Sequence, residues 1–322
     1  MRLVCYYTSP SSRMDDSHTE LFYEHLKTIG EQEKLGLIII SGGGSPVSAL
    51  RIATLLRDYC KFLTAIVPQR AASAATMLAL SANNILMSSA GFLTAIDISV
   101  THGLAPKAPS GAPVGVSADQ VERVLKMLSD EGAGKDNEGL VEGKFRSIFK
   151  YVHPLVIGEI DRSSSASELI ATKLMEMHSE SFGNPEKIKT IATHLVKNYP
   201  MHGFPILYDE AVKIGLPAEK VSREISEISY GLVKLLDTSA LPVTTHYSPG
   251  YFHFECMPAC VESLGKRTVF KQSYDRRFNP VTKGYTVEND NTQWVNITPG
   301  ENGKPRISVL DAPVSVELPE TA

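Results

Sequence analysis

The sequence predicts an α/β fold with a parallel sheet at its centre. Between residues 37 and 97, apolar runs bounded by glycine alternate with helical patterns. The order is a strand at 37–40, a helix that opens near Ser45 and Pro46, a strand at 62–67, a helix at about 74–81 and a strand at 85–87. Such runs are typical of buried parallel strands, and strands joined in this way need right-handed crossovers.

The rest of the chain adds elements on both sides of this unit. An opening strand at 2–7 and an amphipathic helix at 19–31 precede it. Helical patterns follow at 118–128, at 143–178 with interruptions expected at Pro154 and Gly158, and at 185–198, 208–215 and 221–236. From residue 251 the pattern changes to short alternating runs, which indicates a small β-rich C-terminal extension. The stretch 237–250 is the predicted boundary, which gives one domain over 1–240 and the extension over 251–322.

Composition narrows the class of protein. The chain has 322 residues, 43% hydrophobic content and a formal net charge of −4. A near-neutral balance gives no reason to expect a nucleic acid or an anionic membrane as partner. No apolar stretch reaches the roughly 18 residues of a membrane span, and the first residues lack the apolar core of a signal peptide, so we expect a cytoplasmic protein.

The cysteines predict neither disulfides nor a metal site. Four cysteines in a chain of this length do not form a disulfide framework, so reduced thiols are expected. Cys256 and Cys260 follow His253, but these three residues leave a zinc site one ligand short. We therefore predict no metal and no cofactor.

Two clusters of small residues predict a functional site at the carboxyl ends of neighbouring strands, the edge where open α/β sheets bind ligands. Ser73 lies where a helix begins and is flanked by alanines. Gly43 and Gly44 allow a backbone N–H to approach a reacting carbonyl group, and the N–H of Ala74 is a second donor. These residues suit a nucleophile with its oxyanion hole. Serine is equally common as a helix N-cap, so the pattern alone leaves both interpretations open.

Several segments, in order, resemble the Clp protease and signal-peptide-peptidase A group of the Clp/crotonase fold, and most of all its serine dehydrogenase proteinase (SDH) family. The similar segments are 41–44, 49–53, 71–76, 95–97, 202–206 and 209–216. The resemblance covers most of the first two-thirds of the chain. It implies a ββα superhelix, an acyl-enzyme on Ser73, a peptide or protein substrate and a homo-oligomer. Ala75 and Ala95 depart from the family, which usually has Gly and Pro there.

The general base remains open at this level. A serine hydroxyl needs a base to accept its proton, and the fold uses either His or Lys. In Clp proteases the His would fall near 96–97, where this chain has none. His202 lies in the family-like segment 202–206, and Lys126 stands at a separation from the serine like that of the signal-peptide-peptidase lysine. His102, in the long loop 101–115, is a further candidate.

Two charged residues complete the predicted site. Asp97 could orient a base or cap the turn after its strand. Arg70, just before Ser73, could bind a peptide carboxylate or pair with an acid.

Two other functions use the same scaffold. A crotonase-like acyl-CoA enzyme would stabilise an enolate with the same Gly and Ala N–H groups, without needing Ser73. A catalytically inactive peptide-binding or assembly module would keep the groove and lack the base.

Overall fold

The computed structural model describes residues 1–97, 149–300 and 304–310. Between 98 and 148 it describes only 99–100, 103–105, 107–109, 111, 114–117, 120–121, 123–124 and 146.

The helices are α1 Ser17–Ile29, α2 Pro46–Tyr59, α3 Ala74–Leu80, α4 Pro154–Glu176, α5 Pro185–Lys197, α6 Tyr208–Lys213 and α7 Arg223–Ser239. The strands of the first half are β1 Arg2–Thr8, β2 Gln32–Ile40, β3 Cys60–Val67, β4 Arg70–Ala71, β5 Asn84–Met87, β6 Phe92–Leu93, β7 Ser99–Val100 and β8 Val116–Ser117. The remaining strands are β9 Ala218–Lys220, β10 Val243–Ser248, β11 Tyr251–Ser263, β12 Lys266–Asn279, β13 Gly284–Glu288, β14 Gln293–Pro299 and β15 Pro305–Val309.

One large sheet connects the two halves of the chain. Strands β1, β2, β3, β5 and β9 pair in parallel in that order. On its other side, β1 pairs antiparallel with β11, and the sheet continues through β12, β14 and β15. The predicted mixed α/β fold, with a parallel core and β-rich C-terminal strands, is confirmed. The C-terminal strands extend the main sheet, and the division into two domains stays a prediction.

Burial explains the composition of the central elements. Leu37, Ile39 and Ile40 of β2 are fully buried, and all seven residues of α3 are buried as well. A helix enclosed on every side can carry only small or apolar residues, which is the pattern the sequence shows at 74–80. This packing fixes the start of α3, and therefore Ser73, against the sheet.

Helix α4 differs from its prediction. Pro154 is the first residue of the helix, and Gly158 lies inside a continuous helix that runs to Glu176. Residues 149–153 are not helical, so the expected break at Pro154 agrees with the structure, and the break expected at Gly158 is wrong. Proline is favoured at the first helical position, where its missing N–H would have no partner anyway, and an interior glycine costs only about 1 kcal/mol.

His25 joins α1 to the C-terminal strands. Its ring is fully buried, with Nδ1 2.9 Å from Ser263 Oγ and Nε2 2.9 Å from Thr268 Oγ1. Ser263 ends β11 and Thr268 lies in β12. The sequence suggested only an ordinary position on the helix face. In the structure, the two hydrogen bonds of His25 link the parallel core to the C-terminal extension.

Candidate active site

Ser73 has a backbone conformation that non-glycine residues rarely adopt. It stands between β4 and α3, with φ 54° and ψ −120°, and its side chain is only partly buried. A backbone of this kind costs roughly 1–3 kcal/mol and persists only where the surroundings hold it. Strained residues at a strand-to-helix turn are typical of exposed serine nucleophiles.

A chain of hydrogen bonds holds this turn. The N–H of Ser73 donates to Thr94 Oγ1 at 2.8 Å. The N–H of Thr94 donates to Thr76 Oγ1 at 3.0 Å, and that hydroxyl donates to the carbonyl oxygen of Ala71 at 2.6 Å. The two threonines are themselves buried. They therefore connect the residues on both sides of Ser73 to the segment after β6, and they stabilise the strained conformation.

The glycine turn after β2 packs directly against Ser73. Gly43 has φ 91°, and a Cβ there would lie 2.5 Å from the carbonyl oxygen of Ala72 and 2.9 Å from Ser73 Cβ. Gly44 has φ 150°, and a Cβ there would collide with the backbone of Met14. Both positions need glycine for conformation and for space. The close approach that the sequence analysis expected of this turn is what the structure shows.

Two backbone N–H groups of this region have no acceptor in the described part of the chain. The N–H of Gly43 donates to Ser41 Oγ at 3.1 Å, and Ser41 Oγ also lies 2.7 Å from Thr8 Oγ1. Neither the N–H of Ala74 nor that of Gly44 donates to any acceptor in the described part of the chain. Ala74 is the first residue of α3, where N–H groups have no partner within the helix. The N–H groups of Ala74 and Gly44 thus remain unused, whereas that of Gly43 is engaged within the turn.

His202 and Asp97 form a pair. His202 Nδ1 lies 2.8 Å from Asp97 Oδ1, and the Asp97 side chain is only 10% exposed. A carboxylate only accepts hydrogen bonds, so Nδ1 carries the proton and Nε2 of the neutral ring is available as a base. The hydrogen bond that His202 donates to Asp97 raises the pKa of His202 above its usual value, against the opposing effect of burial.

Backbone pairing brings this pair toward the serine. Leu93 and Ile206 exchange two hydrogen bonds, of 3.0 and 2.8 Å, so the segments that carry Asp97 and His202 run side by side. Thr94, next to Leu93, binds the N–H of Ser73.

The positive charge of Arg13 opposes the rise in the pKa of His202 that Asp97 causes. The next residue, Met14, donates its N–H to the carbonyl oxygen of Gly43 at 2.8 Å. The glycine turn therefore contacts Met14 on one side and Ser73 on the other.

Other predicted residues lie elsewhere or outside the described part of the chain. Arg70 donates from Nη2 to the carbonyl oxygen of Thr8 at 3.0 Å and lies 3.7 Å from Asp237 Oδ1, so it pairs with an acid. Its binding of a peptide carboxylate stays a prediction. Lys126 and His102 lie outside the described residues.

Metal and membrane sites have no support in the described residues. His253 binds Asp275 at 2.8 Å, and Cys256 donates to Gln272 Oε1 at 3.2 Å. Across the described ranges, no group of three or more His, Cys, Asp or Glu residues could hold a metal ion. Among the helices that the structure describes, none has the length and apolarity needed to cross a bilayer.

Comparison with known proteins gives distant similarities. No protein-family model matches the chain. An uncharacterized protein of Methanocaldococcus jannaschii is 23% identical over 210 residues, which are 65% of this chain and 61% of that protein. The chain thus spans less than two-thirds of the length of this relative. The SDH-family assignment stays a prediction.

Solved structures of similar shape include two serine-protease variants and a Clp protease. A serine-to-alanine variant of the membrane-bound stomatin-specific protease 1510-N is 16% identical, with a TM-score of 0.41, over 76% of this chain and 88% of that one. A lysine-to-alanine variant of the same protease, in complex with a substrate peptide, is 17% identical, with a TM-score of 0.40, over 71% and 77%. ClpP1 from Listeria monocytogenes is 14% identical, with a TM-score of 0.36, over 70% and 94%.

Proposed function

We propose that this protein is a serine peptidase that hydrolyses peptide bonds through an acyl-enzyme on Ser73. The observation that carries the proposal is the strained backbone of Ser73 beside two unused N–H donors, those of Ala74 and Gly44. Such a turn presents a hydroxyl while its backbone is held, and preorganised N–H donors stabilise the oxyanion that forms when the hydroxyl attacks a carbonyl group.

His202 supplies the base. Its Nε2 accepts the Ser73 proton as Oγ attacks the peptide carbonyl carbon, and the negative charge on the carbonyl oxygen meets the N–H groups of Ala74 and Gly44. Collapse of this intermediate breaks the C–N bond, and the leaving amine takes the proton from His202. Water then attacks the ester carbonyl carbon while His202 accepts a proton from it. Collapse of this second intermediate breaks the bond to Ser73 Oγ, which takes the proton from His202, and the carboxylic acid product leaves. Asp97 stays ionised, orients the ring and stabilises the imidazolium.

The strained turn favours the peptidase over a crotonase-like acyl-CoA enzyme. An enolate-binding site needs the N–H donors alone and has no need for a hydroxyl at Ser73. The structure holds that hydroxyl at the cost of a disfavoured φ of 54°. We also propose a peptide or protein substrate, no cofactor, a homo-oligomeric assembly and a cytoplasmic location.

A fluorophosphonate probe tests the nucleophile and the base separately. We expect the full-length protein to be labelled, Ser73→Ala to abolish labelling, and Ser89→Ala, an exposed serine outside the site, to leave it unchanged. His202→Gln should slow labelling by about a hundredfold or more, the usual contribution of a general base, whereas His194→Gln should have no effect.

Other outcomes identify the alternatives. If the folded wild type is not labelled, the peptidase proposal fails and the acyl-CoA enzyme or the inactive binding module takes its place; acyl-CoA binding by calorimetry distinguishes these two. If His202→Gln is labelled normally and Lys126→Ala is not, the lysine is the base.

A further inference from the structure

Ser41 joins the glycine turn to the segment that leads to Ser73. Its N–H donates to the carbonyl oxygen of Arg70 at 2.9 Å, and its own carbonyl oxygen accepts the N–H of Ala72 at 3.0 Å. These two bonds form a parallel bridge between Ser41 and Ala71. The backbone of Ser41 thus sets the register between the glycine turn and the residues just before Ser73.

The side chain of Ser41 holds the peptide that precedes Gly43. Its Oγ accepts the N–H of Gly43 at 3.1 Å and lies 2.7 Å from Thr8 Oγ1. Ser41 and Thr8 are fully buried, and Gly43 is buried as well. A buried N–H needs an acceptor within the protein, and leaving it without one costs about 1–3 kcal/mol. Ser41 Oγ is that acceptor.

The next peptide of the turn carries the N–H of Gly44, one of the two unused donors. The carbonyl oxygen of Gly43 accepts the N–H of Met14 at 2.8 Å. Because the N–H and C=O of a trans peptide point in opposite directions, this bond directs the Gly44 N–H away from the Met14 N–H. A Cβ at Gly43 would lie 2.9 Å from the nitrogen of Ala74, so the turn also borders the second unused donor.

Because the turn is made of glycines, its shape depends on these hydrogen bonds. The φ angles of Gly43 and Gly44 are 91° and 150°, and glycine has no side chain to restrict rotation there. The Ser41 hydroxyl holds the peptide before Gly43, and the Met14 N–H holds the peptide after it. Without the hydroxyl, rotation at Gly43 would relieve its buried N–H and would also turn the N–H of Gly44.

We propose that Ser41 is a positioning residue for the peptidase reaction. Its hydroxyl holds the glycine turn so that the Gly44 N–H meets the developing oxyanion together with the Ala74 N–H. Ser41 itself does not touch the substrate. The inference rests on the proposed function, in which the oxyanion forms beside Ser73.

The maximal rate constant of fluorophosphonate labelling, measured at saturating probe on the full-length protein, tests this role. The phosphoryl oxygen of the probe takes the place of the carbonyl oxygen, so the N–H donors act on its reaction with Ser73. Loss of one oxyanion donor lowers a rate by a factor on the order of 10²–10³, so displacement of the Gly44 N–H in Ser41→Ala should lower the maximal rate by about tenfold or more. The half-saturating probe concentration should stay unchanged. The pH at which labelling is half-maximal should also stay unchanged, because His202 keeps its bond to Asp97.

Ser81→Ala is the matched control. Ser81 is fully buried, and its hydroxyl donates to the carbonyl oxygen of Leu78 at 2.7 Å, at the opposite end of α3 from Ser73. This substitution removes a buried hydrogen bond, as Ser41→Ala does, but leaves the glycine turn intact. Its maximal rate should equal that of the wild type, and thermal unfolding checks that each variant is folded at the assay temperature.

Thr8→Val provides a second variant of similar shape. It removes only the hydroxyl that contacts Ser41 Oγ, so the maximal rate should fall by a smaller factor than in Ser41→Ala. If Ser41→Ala does not fold, Thr8→Val decides, and an unchanged maximal rate then overturns the proposal.

The remaining outcomes separate this inference from the proposed function. A folded wild type that is not labelled overturns the peptidase proposal and this inference with it. A labelled wild type together with a folded Ser41→Ala of equal maximal rate overturns this inference alone. A change confined to the half-saturating concentration, or a shifted pH profile, also contradicts it, because the hydroxyl would then act on probe binding or on the base.

Discussion

Acidification should weaken the hydrogen bonds by which His25 joins α1 to the C-terminal strands. Burial, and secondarily the charge of Lys266, lowers the pKa of His25 from 6.5 to about 4. Between pH 4 and pH 6.5, His25 is protonated in the unfolded chain and largely neutral in the folded protein. The stabilisation is therefore complete above pH 6.5 and is lost as the pH falls toward 4. Between pH 7 and pH 5 the linkage relation gives a loss of about 2 kcal/mol from this one residue.

Urea unfolding at pH 7 and pH 5, for the wild type and for His25→Gln, measures this loss. Glutamine does not titrate and can still bond one of the two hydroxyls, so the variant should be less stable at pH 7 but should lose about 2 kcal/mol less on acidification. His178, whose pKa burial also lowers to about 4, contributes equally to both proteins and cancels. An equal loss in the two proteins would refute the assignment of this acid sensitivity to His25.

Three substitutions in the candidate site give further predictions, all measured by probe labelling and thermal unfolding. Asp97→Asn should lower the pKa of His202, so the acid limb of the profile of labelling rate against pH should move to lower pH. Labelling should also slow by about tenfold or more, because the base loses the carboxylate that orients it. An acid limb that does not move would contradict the pairing of His202 with Asp97. Thr94→Val should cost about 1–3 kcal/mol by removing the acceptor for the nucleophile's N–H, and Thr94→Ser should restore stability. Gly43→Ala should abolish labelling, whereas Gly42→Ala, which meets open space, should not.

The sequence predicted the central unit well because local signals agree there with tertiary packing. Ser45 caps α2 by accepting the N–H of Ser48, and Pro46 begins the helix, so both residues have the roles that their types favour. Leu37, Ile39 and Ile40 of the apolar run are fully buried, and β2 is a central strand with β1 and β3 paired on its two sides. Pro154 shows the limit of such reasoning, since the same residue can end one helix or begin another and the neighbouring chain decides which.

The site could be predicted only in part because its contacts join distant residues. His202 and Asp97 were separate candidates, and 105 residues lie between them in the numbering. Their pairing depends on the bridge between Leu93 and Ile206, which no local pattern indicates. No sequence pattern pointed to Thr94, because a single polar residue between apolar ones occurs for many reasons. Its importance comes from one acceptor atom placed at the N–H of a strained serine.

Arg70 connects the proposed nucleophile to helix α7. It stands three residues before Ser73 and 3.7 Å from Asp237 of α7, and that carboxylate also accepts the hydroxyl hydrogen of Tyr7 at 2.9 Å. Burial, together with the bonded carboxylate, raises the pKa of Tyr7, so the hydroxyl stays a donor. Through these contacts, α7 anchors the loop that carries Ser73.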